Sequence, residues 1–353
     1  MGHFLFVTWD GGGNVPPALG IATELAARGH DVRFMGHPSQ SERFSKAGLP
    51  FTSFLTARPF DSSDVASTRR ILATFADRAM GSDVVAAARH DDVIVVDALL
   101  FGVMAALQQA GRRYVVLEHT LDGWLRRSAR GPLGLALRFS GLRASKLVDG
   151  GEPTIVASLA ELDAGHGDVV HTGPIVSGVP ALAQEPTVLV SLSTFAYRDL
   201  DPVWQHVLDA LAAVPARVIA TTGPAVAPNR LHPPDNVEIH EWLAHERIMP
   251  EVSVVVCHGG HATTVAALAH DLPLLVLPLD TTTDQPMIGR AIQRAGAGRV
   301  LNRRSPIVEI RSAIEELLDD GPHRAAAARL GAEIRETDGA RRAADVLESK
   351  SVG

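Results

Sequence analysis

Hydrophobic and polar positions alternate along this chain in two successive arrays of short apolar runs separated by helical stretches. Phe4-Leu5-Phe6-Val7-Thr8 reads as a strand, Pro17 to Arg28 as a helix and Asp31 to Met35 as a second strand. Pro16-Pro17 suits the start of that helix, where the missing N–H is not needed, and Gly29 suits its stop. A third strand, Asp92 to Asp97, leads into a helical stretch from Ala98 to Ala110, and Tyr114 to Glu118 makes a fourth. Between Asp122 and Asp149 the pattern turns arginine-rich and weakly amphipathic, a poor strand candidate. A further strand is expected at Thr154 to Ala157. Continuous apolar strands separated by helices point to a parallel sheet covered on both faces.

The stretch His171 to Pro186 is rich in Gly, Pro and Ala and lacks periodicity, so it reads as a linker. The alternation restarts at Thr187 to Ser191 and continues with Arg217 to Thr221, Val237 to Ile239, Val252 to Cys257 and Leu274 to Leu277. The resulting division is an N-terminal domain over 1–173, a linker over 174–186, a C-terminal domain over 187–339 and a last helix over 340–353 that packs back on the first domain. A length of 353 residues agrees with two domains at roughly 150 residues each. Two such arrays make two doubly wound α/β domains, with ligands expected at the carboxyl ends of the strands and in the cleft that the domains face.

Composition narrows the function classes. The net charge of −7 offers no overall footprint for nucleic acid or an anionic membrane. The one long apolar window, Val93 to Leu107, is interrupted by Asp97 and falls short of the ~20 residues a spanning helix needs. No membrane span is expected. The single cysteine, Cys257, follows Val254-Val255-Val256 and reads as a buried strand thiol, which fits a reducing cytoplasm and excludes an internal disulfide or a Cys-based metal site.

The most informative segment is His258-Gly259-Gly260-His261-Ala262-Thr263-Thr264, which follows a buried strand and opens a helix. Unsatisfied N–H groups at such a helix start favour phosphate, and the paired glycines let the backbone approach closely. His258 can donate to a phosphate oxygen, and the Thr263 hydroxyl sits in the first turn. Asp284 and Gln285, at the next strand-end loop, offer groups suited to sugar hydroxyls, although an Asp before a proline-containing helix start is often only a cap. Trp242, next to Leu243, offers a flat face to a base, against the commoner fate of a lone tryptophan in a core.

Together these pieces resemble the family 1 glycosyltransferases of the GT-B fold, most strongly over Val237 to Gly298. A fainter likeness extends over nearly the whole chain: the opening glycine turn, Thr172-Gly173-Pro174, and Ser191-Leu192-Ser193-Thr194, where that family has a serine-rich phosphate loop. The resemblance implies two Rossmann-like domains and inverting transfer from a UDP- or TDP-sugar to a small-molecule acceptor of natural-product type, with no catalytic metal and no cofactor beyond the nucleotide sugar. It implies a donor site built from Ser191, Ser193, Thr194, Trp242, Leu243, His258, Gly259, Gly260, His261, Thr263, Asp284 and Gln285. Gly13, Asn14 and Trp124 are the expected acceptor-side residues, with the arginines near Trp124 read as a solvated face. A cytoplasmic monomer or homodimer is expected.

The sequence departs from that family at the first turn. Members often carry a histidine two residues before the proline pair, as the base that deprotonates the acceptor, and here the position is Asn14. An amide is no general base near neutral pH. Asp97, at the end of a buried strand, is the first replacement, weighed against a helix N-cap; His119 is the second and Asp10 the third. Asn14 also motivates an alternative, a non-catalytic nucleotide-sugar-binding homologue, and an epimerase on the same architecture is a further one. A nicotinamide site is rejected, because the second strand ends Phe34-Met35-Gly36-His37 with no acid.

Overall fold

The structure is a computed structural model, and it describes residues 1–60, 68–163, 168–193, 195, 197 and 199–351. The chain divides into two compact units. The first runs to Ile175 and takes back the segment from Thr337 onward; the second runs from Val176 to Glu336. The division thus falls inside the Gly- and Pro-rich stretch.

In the first unit seven strands make one parallel sheet: β1 (His3–Val7), β2 (Asp31–Gly36), β3 (Phe51–Ser53), β4 (Asp92–Asp97), β5 (Val115–Glu118), β6 (Thr154–Val156) and β7 (Val169–His171), in the order β3-β2-β1-β4-β5-β6-β7. The central strands are apolar at nearly every position because both faces are covered. Leu5, Val7, Ile94, Val96 and Val116 join one hydrophobic cluster, while Phe4, Phe6, Val93, Val95 and Val115 join another on the opposite face. The second cluster is completed by Ala343, Ala344 and Leu347 of the terminal helix Gly339–Ser351, which lies along the helix Val15–Ala27. Arg28 ties the two helices, pairing with Glu24 at 2.8 Å and with Asp345 and Glu348 at 2.7 Å.

The second unit holds β8 (Thr187–Ser191), β9 (Arg217–Thr221), β10 (Val237–His240), β11 (Val254–Cys257), β12 (Leu274–Val276) and β13 (Gly298–Val300), again all parallel, in the order β10-β9-β8-β11-β12-β13. This is the doubly wound order in which chain direction across the sheet reverses between β8 and β11, as it does between β1 and β4 in the first unit. At each reversal the loops leave in opposite directions and open a crevice at the strand ends.

Several elements differ from the sequence reading. The helix after β4 spans Phe101–Gln109 rather than beginning at Ala98, because Ala98 to Leu100 form a turn closed by Leu100 N–H donating to the Asp97 carbonyl at 3.0 Å. The arginine-rich stretch folds into three short helices, Asp122–Arg130, Pro132–Arg138 and Ala144–Val148. Two helices, Thr68–Phe75 and Arg78–Ala87, and the three-residue strands β3, β7 and β13 were not anticipated. Among the described residues no helix is long and apolar enough to cross a membrane.

Candidate active site

In the second unit the reversal point brings together the ends of β8 and β11, since Cys257 lies level with Ser191 in the register. After β11 the chain runs through His258-Gly259-Gly260 and opens the helix His261–Ala269, with Gly260 in the N-cap position. Gly259 has a φ of +88°, and a Cβ there would meet Val276 Cγ1 at 2.8 Å and the Gln285 carbonyl oxygen at 2.9 Å. Only glycine fits this turn. A Cβ on Gly260 would meet the His258 ring at 2.7 Å, so the second glycine leaves the ring its place against the loop. Thr264 turns its hydroxyl back to donate to the Gly260 carbonyl at 2.9 Å, whereas the part-exposed Thr263 hydroxyl has no protein partner among the described residues. The helix start therefore presents backbone N–H groups and a threonine hydroxyl at the strand ends, an arrangement for an anion.

Burial pushes the His258 imidazole down to about 4, and its Nδ1 is enclosed without a partner. The ring is neutral at pH 7, and what it offers an anion is a neutral N–H. Cys257 beneath it is fully buried and its thiol is pushed up to about 11, so it has no nucleophilic role.

The remaining donor-side residues fall into distinct environments. Trp242 is 72% exposed just beyond β10, which removes core packing as the reason for it. Leu243 beside it is half-buried. Ser191 ends β8, and Ser193 is buried with its hydroxyl accepting from the Phe195 N–H at 2.9 Å. Thr194 lies outside the described residues. His261 is half-buried in the first helical turn. Asp284 holds the N-cap position of the helix Gln285–Arg294. Gln285 differs from its expected place at a sugar: its side chain is buried, its Oε1 accepts from the Leu279 and Asp280 N–H groups at 2.8 and 3.1 Å, and its Nε2 donates to the Tyr197 hydroxyl at 2.8 Å. The amide is spent on holding the loop before Asp284. Tyr197, which sequence reasoning missed, is drawn in by that bond, and burial with Asp284 and Asp280 nearby pushes its hydroxyl pKa up.

In the first unit the corresponding point lies between β1 and β4. The glycine turn Gly11-Gly12-Gly13 follows β1, with Gly13 exposed at its tip, and Asn14 ends it, buried. Asn14 Nδ2 donates to Asp97 Oδ2 at 2.8 Å and to the Trp9 carbonyl at 3.0 Å. Asp97 Oδ1 accepts from Trp9 Nε1 at 3.2 Å and from the Leu99 N–H at 3.0 Å. His119, just beyond β5, places Nδ1 3.4 Å from Asp97 Oδ2 and remains half-buried. Asp97 thus does not present a free carboxylate. Its oxygens are occupied on all sides, partly by the Leu99 bond that the capping alternative anticipated. Asp10 accepts from the Ser39 hydroxyl at 2.8 Å. Trp124 packs half-buried against the core cluster.

Glu118, read at first only as a strand end, is fully buried with neither carboxyl oxygen hydrogen-bonded, and burial beside Asp122 and Asp163 pushes its pKa well above 4.5. No cluster of three or more His, Cys, Asp or Glu side chains suited to a metal occurs among the described residues. The chain does contain one Asp-x-Asp pair, Asp199-Leu200-Asp201, but Asp201 is paired with Arg230 at 2.8 Å.

Residues 205–343 match the family described as erythromycin biosynthesis protein CIII-like, C-terminal domain. The chain is 32% identical over 194 residues to 4'-demethylrebeccamycin synthase of Lentzea aerocolonigenes, a match covering 51% of this chain and 45% of that protein, so it spans less than half of that relative's length. It is 26% identical to demethyllactenocin mycarosyltransferase of Streptomyces fradiae, covering 99% of this chain and 86% of that one. Among solved structures, the kitacinnamycin glycosyltransferase superposes with a TM-score of 0.81 at 23% identity, covering 99% of this chain and 98% of that one. The glycosyltransferase VinC, solved in complex with dTDP, superposes at 0.75 with 19% identity over 99% and 100% of the two chains. Two parallel doubly wound units that superpose over nearly the whole chain on these structures show the GT-B fold, and in sequence the chain is similar to glycosyltransferases of natural-product biosynthesis.

Proposed function

We propose that this protein is an inverting, metal-independent glycosyltransferase that moves a sugar from a UDP- or TDP-sugar to a small-molecule hydroxyl. The observation that carries the reading is the strand-end helix start at the reversal point of the second unit, where Gly259 is forced by its φ and by the Gln285 backbone. Its N–H groups, Thr263 and His258 take the diphosphate, and the leaving group's charge is stabilised by the helix rather than by a cation. The exposed Trp242 face takes the nucleobase and Asp284 takes sugar hydroxyls; the dTDP bound to VinC supports the nucleotide assignment.

On the acceptor side His119 is the proton acceptor. Asp97 faces Nδ1, which fixes the tautomer with the proton on that nitrogen and leaves Nε2 to receive a proton. The acceptor O–H proton passes to Nε2, the oxygen bonds to the anomeric carbon from the face opposite the diphosphate, and the C–O bond to phosphate breaks with its electron pair leaving on the diphosphate. Asn14 fills the place of a base with an amide that clamps Asp97.

The test is release of nucleoside diphosphate from UDP- and TDP-sugars with and without a panel of hydroxylated acceptors, in EDTA. Acceptor-dependent release unaffected by the chelator is expected. Release without any acceptor would favour hydrolysis or an epimerase, nucleotide binding without release would favour a non-catalytic homologue, and loss in EDTA restored by magnesium would contradict the metal-free mechanism.

A further inference from the structure

Gly123 to Val148 contains six cations, Arg126, Arg127, Arg130, Arg138, Arg143 and Lys146, and no acid, in a chain whose net charge is −7. Arg126 is neutralised by Asp122 and Asp149. The other five are exposed, and none has an ion-pair partner among the described residues. Their placement is local. Arg130, Arg138, Arg143 and Lys146 line one open pocket of about 820 Å³ together with Leu135. Arg78 reaches in from a neighbouring helix to donate to the Gly141 carbonyl.

Two apolar side chains stand in water here, Leu135 among these cations in the pocket lining and Phe139 next to Arg138 in the chain. Leu135 is 60% and Phe139 89% exposed, one helical turn apart, while Leu137 and Leu142 between and beyond them are buried in the core. The helices of the lobe are closely packed. A Cβ on Gly134 would lie 1.8 Å from the Ala129 carbonyl oxygen, so only glycine lets the Pro132–Arg138 helix press against the preceding one. Nothing in the donor or acceptor chemistry uses these residues.

We propose that this lobe docks the protein on an anionic membrane surface, with Leu135 and Phe139 entering the headgroup boundary and the collar of arginines and Lys146 meeting acidic lipid headgroups. Apolar tips ringed by cations are the pattern of interfacial anchoring, in which a small buried area and several headgroup attractions act together. A nucleic acid backbone would use the cations and leave the two tips in water. A specific protein interface needs roughly 800 Å² from each partner, and two apolar residues are a small start toward that. Because the charge is local and the rest of the surface is net acidic, the attraction also orients the protein, lobe first.

The experiment is co-sedimentation of the full-length protein with vesicles of phosphatidylcholine alone and of phosphatidylcholine mixed with phosphatidylglycerol. Binding is expected to the mixed vesicles only, weakening as salt is raised. Arg138→Ala with Arg143→Ala should lower partitioning roughly 30-fold, and Phe139→Ser about 10-fold with all charges intact. Both variants should keep the wild-type melting temperature, since the altered side chains are exposed. Equal or absent binding to both vesicle types would overturn the proposal. So would unchanged binding of Phe139→Ser, or displacement from vesicles by inorganic phosphate or duplex DNA at matched ionic strength, either of which would assign the collar to a soluble anion.

Discussion

Asp97 and Glu118 end neighbouring strands, yet their surroundings assign them opposite tasks. Asp97 accepts from Trp9, Leu99 and Asn14 and faces His119, which on the proposed mechanism makes it the group that orients the imidazole. His119→Ala should therefore lower kcat by about 10²–10⁴-fold on a weakly acidic alcohol acceptor, with nucleotide affinity unchanged. Asp97→Asn should lose a comparable amount through the wrong tautomer, and Asn14→Ala should lose less. Full activity in His119→Ala beside an inactive Asp97→Asn would return the proton to Asp97. Glu118 has no hydrogen bond to its carboxyl, and burial favours its neutral form. A carboxyl with a raised folded pKa contributes its stability below the unfolded value of about 4.5, and that stability is lost as pH rises through the folded value. Melting curves of Glu118→Gln should match wild type near pH 4.5 and exceed it increasingly toward pH 8; a variant less stable at pH 8 would mean the charged form is the one accommodated.

At the scale of elements, the strands were legible because the central ones are apolar throughout, which a parallel sheet covered on both faces requires. The loop from His258 to Thr263 was legible because glycine pairs at a strand end have few structural reasons to exist, and the φ of Gly259 supplies one. What was not legible depended on contacts distant in sequence. Asp97 looks like a base until Trp9 and Asn14 close on it from 88 and 83 residues away. Gln285 looks like a sugar ligand until Tyr197 takes its amide. The strands β3, β7 and β13 are too short to show a period. The same loop yields a prediction. His258→Ala and Thr263→Ala should each weaken nucleoside diphosphate binding by about 0.5–1.5 kcal/mol, the worth of a neutral hydrogen bond, because His258 is neutral well above its pKa of about 4. Calorimetric affinities for wild type and His258→Ala should keep a constant ratio from pH 6 to 8. A ratio that grows toward pH 6 would show that the ring is protonated when the diphosphate binds.

For the whole molecule, the path of the chain makes the first unit depend on its last residues. The chain leaves that unit at Ile175 and returns at Thr337, and the terminal helix then supplies three wholly buried side chains, Ala343, Ala344 and Leu347, to the cluster around Phe4, Ile21 and Leu25. Truncating Leu347 leaves a cavity against the Val15–Ala27 helix that the close-packed sheet cannot fill. Leu347→Ala should destabilise the first unit by about 2–5 kcal/mol, as other buried leucines do. The Arg28 bridges to Asp345 and Glu348 sit at the rim, where solvent screens them, so Arg28→Ala should cost less. The second unit keeps its own core around Val190, Trp204 and Val256. Leu347→Ala should therefore split thermal unfolding, lowering the transition of the first unit while nucleoside diphosphate still raises the melting temperature of the second. A single transition lowered throughout, with the nucleotide shift lost, would show instead that the two units unfold as one.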